Sequence, residues 1–277
     1  MNRFRQLSIR DRSLSPAEAE LWVLAEPEQL TPATEIRGRL VGPTCPYSST
    51  IEVAYPLRPF PKLPEGLAPL TRRVVIPEPS MWDPVSPFLY QGAIELWQDG
   101  KMCDRRELRH GLRVAQVGTT GLTWNGASLT LSALDRPSLD ARELPALRQL
   151  GVNALLLNVA APQLWGAAER LGFAIIGMPG DDATCAVNLM PSPACFGWLL
   201  PMGWWAERET WRDFVSAVQK WRRFLGVELT DAVPALPPEV QFVVGPHDLP
   251  PIGRPRLLRP RPDVVPTDEP ELGWVSQ

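Results

Sequence analysis

Up to about residue 117 the apolar positions come in short runs separated by turn residues. LWVLAEP from Leu21, TEIRGRLVG from Thr34 and RRVVIPE from Arg72 read as strands. STIEVAYPL from Ser49 alternates Ile51, Val53 and Tyr55. In FLYQGAIELWQDGKMCDRREL from Phe88, Leu89, Ala93 and Leu96 lead into Asp99-Gly100, a strong hairpin signal. No segment here keeps a helical period for three turns. Short strands at regular spacing with Pro and Gly between them predict a β-sandwich over residues 1–117.

The pattern changes after Arg113. GLTWNGASLTLSALD from Gly121 carries a hairpin with Asn125-Gly126 at its turn, and helices then alternate with apolar strands. Leu144, Leu147 and Leu150 share a helical face closed by Gly151. Residues 153–158 read as a strand, Pro162 opens a helix that Gly172 closes, and residues 173–178 and 194–200 read as strands. From Glu207 a long helix is predicted to Leu225, with Trp211, Phe214, Val218, Trp221 and Leu225 on one stripe. Val240–Val244 and Arg256–Leu258 are the last strand candidates. Apolar strands alternating with helices indicate a parallel sheet covered on both faces. About six strands are expected over residues 118–258, a shortened β/α domain. Residues 259–277 read as a Pro-rich extended tail.

Composition narrows the functional classes. The 277 residues are 44% hydrophobic and 21% charged, enough for an ordinary core, and the net charge is −3. Charges of both signs are mixed, which leaves no basic footprint for nucleic acid or a membrane surface. The 32 prolines are more than double the usual share of about 5% and suit strand edges, turns and linkers. The start, MNRFRQLSIRDRSLS, has no apolar segment behind its basic residues, and no run of about 18 apolar residues occurs. A cytoplasmic location without a membrane span is therefore expected. Cys45, Cys103, Cys185 and Cys195 form no CxxC pair and read as free thiols, with a Cys185–Cys195 bridge as the alternative. His110 and His247 are too few for a histidine-based metal site. No GxGxxG, Walker A or GxSxG motif is present, so no cofactor and no metal is expected.

One stretch carries a family resemblance. MWDPVSPFLYQGAIELWQDG from Met81, followed by HGLRVAQV from His110, resembles the sandwich-to-barrel junction of the family-two glycoside hydrolases, the β-galactosidase, β-glucuronidase and β-mannosidase group. Trp82, Pro84, Pro87, Leu89, Tyr90, Gly111, Leu112 and Arg113 stand in the family's places, and His110 replaces an aromatic. Trp124-Asn125-Gly126 resembles the hairpin at the start of the family's barrel. The segments from Leu144 and from Ala167 resemble its next helix-and-strand pairs.

The resemblance implies an immunoglobulin-like β-sandwich followed by an incomplete TIM-barrel-like β/α domain. It also implies a retaining hydrolase, which needs two carboxyl groups flanking the glycosidic bond. The acid/base glutamate would follow the fourth strand, where Trp198 fits but Met202 and Gly203 stand in place of Asn and Glu. The second carboxylate would end a seventh strand, which lies beyond the six expected here. Glu269 and Glu271 fall in the tail. The family's arginine after Asn-Ala is Leu156, and its histidine beyond the strand is absent from Asn158-Val-Ala-Ala. No catalytic residue is assigned.

Ligands of such barrels bind at the C-terminal strand ends. Asn158, Asp181, Asp182, Trp204 and Trp205 are the ligand-binding candidates there. The carboxylates can cap helices or contact sugar hydroxyls or a cation; the tryptophans can stack on a sugar ring, plug a dead pocket or cover an unclosed barrel edge. His247-Asp248 reads as a turn, and Asp231 has no evident partner. The expectation is a non-catalytic, glycoside-hydrolase-like protein that binds carbohydrate or a protein partner. An active hydrolase with relocated carboxylates (Asp181, Asp182 or Glu207) and a scaffold without a small ligand are the alternatives. An unclosed barrel edge would favour self-association or cover by the tail.

Overall fold

The computed structural model describes residues 2–65, 67–159, 161–180, 183–230, 235–260 and 270–276. It divides into two compact units: residues 1–82 with 86–112, and residues 83–85 with 113–277.

The first unit is a β-sandwich. Strands β1 (Phe4–Leu14), β2 (Glu18–Pro27), β3 (Thr34–Thr44), β4 (Val53–Pro56), β5 (Arg72–Pro77), β6 (Leu89–Gln98) and β7 (Lys101–His110) form two antiparallel sheets, ordered β1-β2-β5 and β4-β3-β6-β7. Alternation does the work expected of it: Ala19, Leu21, Val23 and Ala25 of β2 point inward and meet Ile36, Leu40, Ile94 and Leu96 of the facing sheet. β1 was not legible in the sequence, because its apolar residues are interleaved with arginines. At the junction segment Trp82 is fully buried and its N–H donates to the Leu112 carbonyl. His110, standing where the family resemblance puts an aromatic, is buried with Nε2 2.7 Å from Asp11 Oδ1.

The second unit opens with a three-stranded hairpin sheet, β8 (Ala115–Gly118), β9 (Gly121–Trp124) and β10 (Ala127–Leu129). Eight parallel strands follow: β11 (Leu131–Asp135), β12 (Ala154–Asn158), β13 (Ala174–Met178), β14 (Cys195–Leu200), β15 (Phe224–Glu228), β16 (Phe242–Pro246), β17 (Arg256–Arg259) and β18 (Gly273–Ser276). They close into a barrel. Helices α1 (Leu144–Gln149), α2 (Pro162–Leu171), α3 (Ala183–Leu189) and α4 (Arg208–Lys220) follow the first four strands in turn. Among the described residues no helix follows β15, β16 or β17.

The β/α domain is therefore shortened in its connections, and the expected six strands with an open edge are corrected to eight strands without one. Two strands escaped the sequence reading. β15 was absorbed into the long helix because Leu225 continues the stripe of Phe214, Val218 and Trp221. The helix in fact stops at Lys220, and Arg222 takes a left-handed backbone with φ 52°. β18 lies in the segment read as an extended tail. Its four residues pair with β11 on one side and β17 on the other. With every barrel strand paired, the reason for expecting a cover over an exposed edge falls away.

Closure depends on a glycine and a salt bridge. A Cβ on Gly273 would lie 1.9 Å from the Leu131 carbonyl oxygen, and its φ is 131°, so only glycine lets β18 approach β11. Glu271, two residues earlier, holds the start of β17. It accepts from Arg256 Nε at 3.0 Å, Nη2 at 3.1 Å and the Arg256 backbone N–H at 2.9 Å. Arg256 is buried, and its Nη1 donates to the Leu249 carbonyl at 2.7 Å. Burial pushes the Glu271 carboxyl up. The Arg256 side-chain hydrogen bonds, backbone N–H donors and guanidinium charge outweigh that and hold it below its ordinary range.

Below the lumen, the rings of Phe196, Phe224 and Phe242 meet at centroid distances of 5.0 and 5.6 Å, and Trp124 of the hairpin stacks on Phe196 at 6.2 Å. Arg113 lies 4.8 Å over the Trp124 ring and donates to the Cys195 carbonyl. The N-terminal end of the barrel is thus packed, as expected for a core that is not a pore.

Replacing Glu271 with Ala strands the buried Arg256 charge and is expected to destabilise the chain by about 3 kcal/mol, read from denaturant titration. Because the folded carboxyl value lies below the unfolded one, this contribution is complete above the ordinary carboxyl range. It is lost as pH falls through the lowered value. The gap between the native chain and Glu271→Ala should accordingly narrow in acid.

Candidate functional site

In a parallel barrel the C-terminal strand ends form the mouth. Alternation and register put Ala133 and Asp135 of β11, Gly226 and Glu228 of β15, and Leu257 and Arg259 of β17 on the lumen side. Gly226 makes room there: a Cβ would fall 2.4 Å from the Phe242 ring.

At the last residue of three of these strands the chain places an Asp, a Glu and an Arg. Arg259 Nη2 donates to Asp135 Oδ2 at 2.7 Å, and its Nε donates to Glu228 Oε1 at 2.9 Å. Nη2 also lies 2.8 Å from Glu228 Oε1. β17 is separated from β11 by β18 and from β15 by β16, so the guanidinium crosses the mouth in both directions. Burial pushes the Arg259 guanidinium down, but the Asp135 hydrogen bond and the Glu228 and Asp135 charges outweigh that and raise it above its ordinary value. Its Nη1 is buried without a hydrogen-bond partner among the described residues.

This ion triad was missed in the sequence. Asp135 closes a hairpin-bearing segment, Glu228 lies in the unrecognised fifth strand, and Arg259 was read as the first residue of a tail. The available signal was positional: each is the charged residue that ends a short apolar run.

Of the residues singled out beforehand, Asn158 ends β12 and is exposed, and its backbone carbonyl accepts the Trp165 indole N–H at 3.4 Å. Trp204 is buried and Trp205 half-buried in the 3-10 turn after β14, with rings edge-on at 6.2 Å. The Trp204 indole N–H finds no acceptor among the described residues. Met202 and Gly203 lead into that turn, so no carboxylate stands at the position equivalent to the family's acid/base. Glu207 is exposed at the end of the turn. His247 Nδ1 lies 3.5 Å from Asp248 Oδ1 just after β16, too long for a hydrogen bond but close enough for an ion pair. Asp181, Asp182, Asp231 and Glu269 lie outside the described residues.

At the end of the seventh strand, where a retaining hydrolase of the resembled family carries its second carboxylate, this chain has Arg259. None of the four cysteines forms a disulfide, and burial raises the Cys195 thiol, which suits a packing role. Among the described residues no group of three His, Cys, Asp or Glu could hold a metal ion. No described helix is long and apolar enough to cross a membrane.

Comparison with known proteins agrees with this architecture. Residues 50–113 match the family model described as glycosyl hydrolases family 2. No curated protein matches the chain. Among solved structures, the FMN-binding β-glucuronidase of Facaelibacterium prausnitzii L2-6 is similar with a TM-score of 0.67 at 14% identity. The alignment covers 89% of this chain and 44% of that one. A glycosyl hydrolase family 2 member from Bacteroides cellulosilyticus DSM 14838 gives 0.67 at 16% identity, covering 99% and 46%. A β-glycosidase from Bacteroides vulgatus gives 0.64 at 16%, covering 88% and 35%. The fold is that of these glycosidases, and the chain spans less than half the length of each.

Replacing Arg259 with Leu leaves Asp135 and Glu228 facing each other across the mouth without a cation. A loss of about 2 kcal/mol at neutral pH is expected, read from denaturant titration.

Proposed function

We propose that the chain is a glycoside-hydrolase-like binding protein, one that holds carbohydrate hydroxyl groups at the barrel mouth without cleaving the glycosidic bond. The observation that carries this reading is the position of Arg259 between Asp135 and Glu228. Retaining hydrolysis requires the sugar's anomeric carbon and its leaving oxygen to lie between two carboxyl groups. Here a guanidinium fills that space. Carboxylate oxygens at its two sides can still accept hydroxyl protons, and the charge-assisted form of such bonds is the stronger one.

A specific observation also favours hydrolysis with relocated carboxylates. Both acceptor oxygens lie within 2.8 Å of the same Arg259 nitrogen, so they are no more than about 5.5 Å apart, closer than an inverting pair. Neither carboxylate is available to attack or protonate while Arg259 bonds both, which is why binding is preferred.

A panel of 4-nitrophenyl glycosides separates the two. No turnover above the uncatalysed rate is expected, together with glycan-array binding that Asp135→Asn weakens. Turnover abolished by Asp135→Asn or Glu228→Gln would overturn the binding reading. A silent panel with no glycan bound would shift it to a scaffold that engages protein.

A further inference from the structure

The opposite end of the barrel carries a cavity of its own, away from the mouth. A cavity of about 490 Å³ opens beside the N-terminal ends of β15 and β16 and the C-terminal end of α4. Its apolar wall includes Val218, Phe224 and Leu225. Its polar lining includes Arg222, Glu239 and Gln241. The cavity is open on one side and offers apolar and polar lining in similar measure.

The polar groups are unusual in what they leave unpaired. Glu239 Oε2 is buried and accepts no hydrogen bond among the described residues. Arg222 lines the same cavity, is exposed, and makes no ion pair with Glu239 or with any other described carboxylate. The neighbouring Arg223 is committed elsewhere, donating to the Met190 and Ser192 carbonyls at 2.9 and 3.1 Å. Gln241 spends its Oε1 on the Leu225 N–H at 3.0 Å, which leaves its amide donors.

Arg222 also sits where its own backbone would prefer another residue. It occupies the left-handed position after α4, with φ 52°, inside the paired hydrogen bonds Arg222 N to Gln219 O and Arg223 N to Val218 O. Glycine is the usual occupant of such a helix end. The arginine therefore stands at a strained position, and it faces a cavity that also holds an unpaired anion.

From these residues we infer that the cavity binds a small zwitterion of the α-amino-acid class, its carboxylate on Arg222, its ammonium on Glu239 and its side chain against Phe224 and Leu225. One cation and one anion line a single cavity without touching. A ligand bearing both charges satisfies the two at once, whereas a simple cation or anion leaves one unpaired.

The test is a thermal-shift screen of the full chain against the twenty common L-α-amino acids at millimolar concentration, followed by calorimetry on the best binder. At least one apolar amino acid should bind saturably. Its amide and its N-acetyl form, which each lack one charge, should bind about tenfold more weakly or worse. Glu239→Gln and Arg222→Gly should each weaken binding by a similar factor. Arg222→Gly should do so with an unchanged or higher Tm, since glycine fits the left-handed position. Asp135→Asn at the mouth should bind the amino acid normally, which separates this site from the carbohydrate reading. No binding by any of the twenty overturns the inference. Binding that survives both cavity variants, or the loss of either ligand charge, overturns it as well.

Discussion

A parallel strand pair cannot be left open to solvent without exposing a row of unpaired backbone groups, and the second unit depends on how that is avoided. Four residues do it. Gly273–Ser276 lie between β17 and β11 and turn eight short strands into a barrel. Glycine at 273 allows the approach to Leu131, and Glu271 pins the entry to the strand on Arg256. Once the ring is closed, the strand ends must converge on one mouth. Asp135, Glu228 and Arg259 therefore meet although they are far apart in sequence.

The same closure bears on the strands that no described helix follows. The outward-facing Val227, Val243 and Leu258 are buried even though no described helix follows their strands. Arg259 then ties strands one, five and seven across the mouth, while Trp124, Phe196, Phe224 and Phe242 fill the base. Packing at one end and ion pairing at the other thus brace the ring. The bridging cation, Arg259, stands at the end of the seventh strand.

The legible part of the fold was the part written locally. The alternation of β2, β3 and β6, the Asp99-Gly100 turn and the junction from Trp82 to Arg113 each carry their own signal within a few residues. So do the helix ends at Gly151 and Gly172. β15 and β18 carry none that survives competition. Leu225 prolongs a helical stripe, and Gly273–Ser276 is too short and too close to prolines to read as a strand without its neighbours. The candidate site was less legible still. Asn158, Trp204 and Trp205 were located from the strand ends, but the ion triad is a product of closure, and closure is a long-range property of residues 131 and 273.

Amide hydrogen exchange at residues 273–276 tests that closure most directly. If these residues are the eighth strand, their hydrogen-bonded amides should be protected to the same degree as those of β11 and β17. Amides there that exchange as fast as an unstructured peptide, while β11 and β17 remain protected, would contradict the closed barrel and with it the mouth built from Asp135, Glu228 and Arg259.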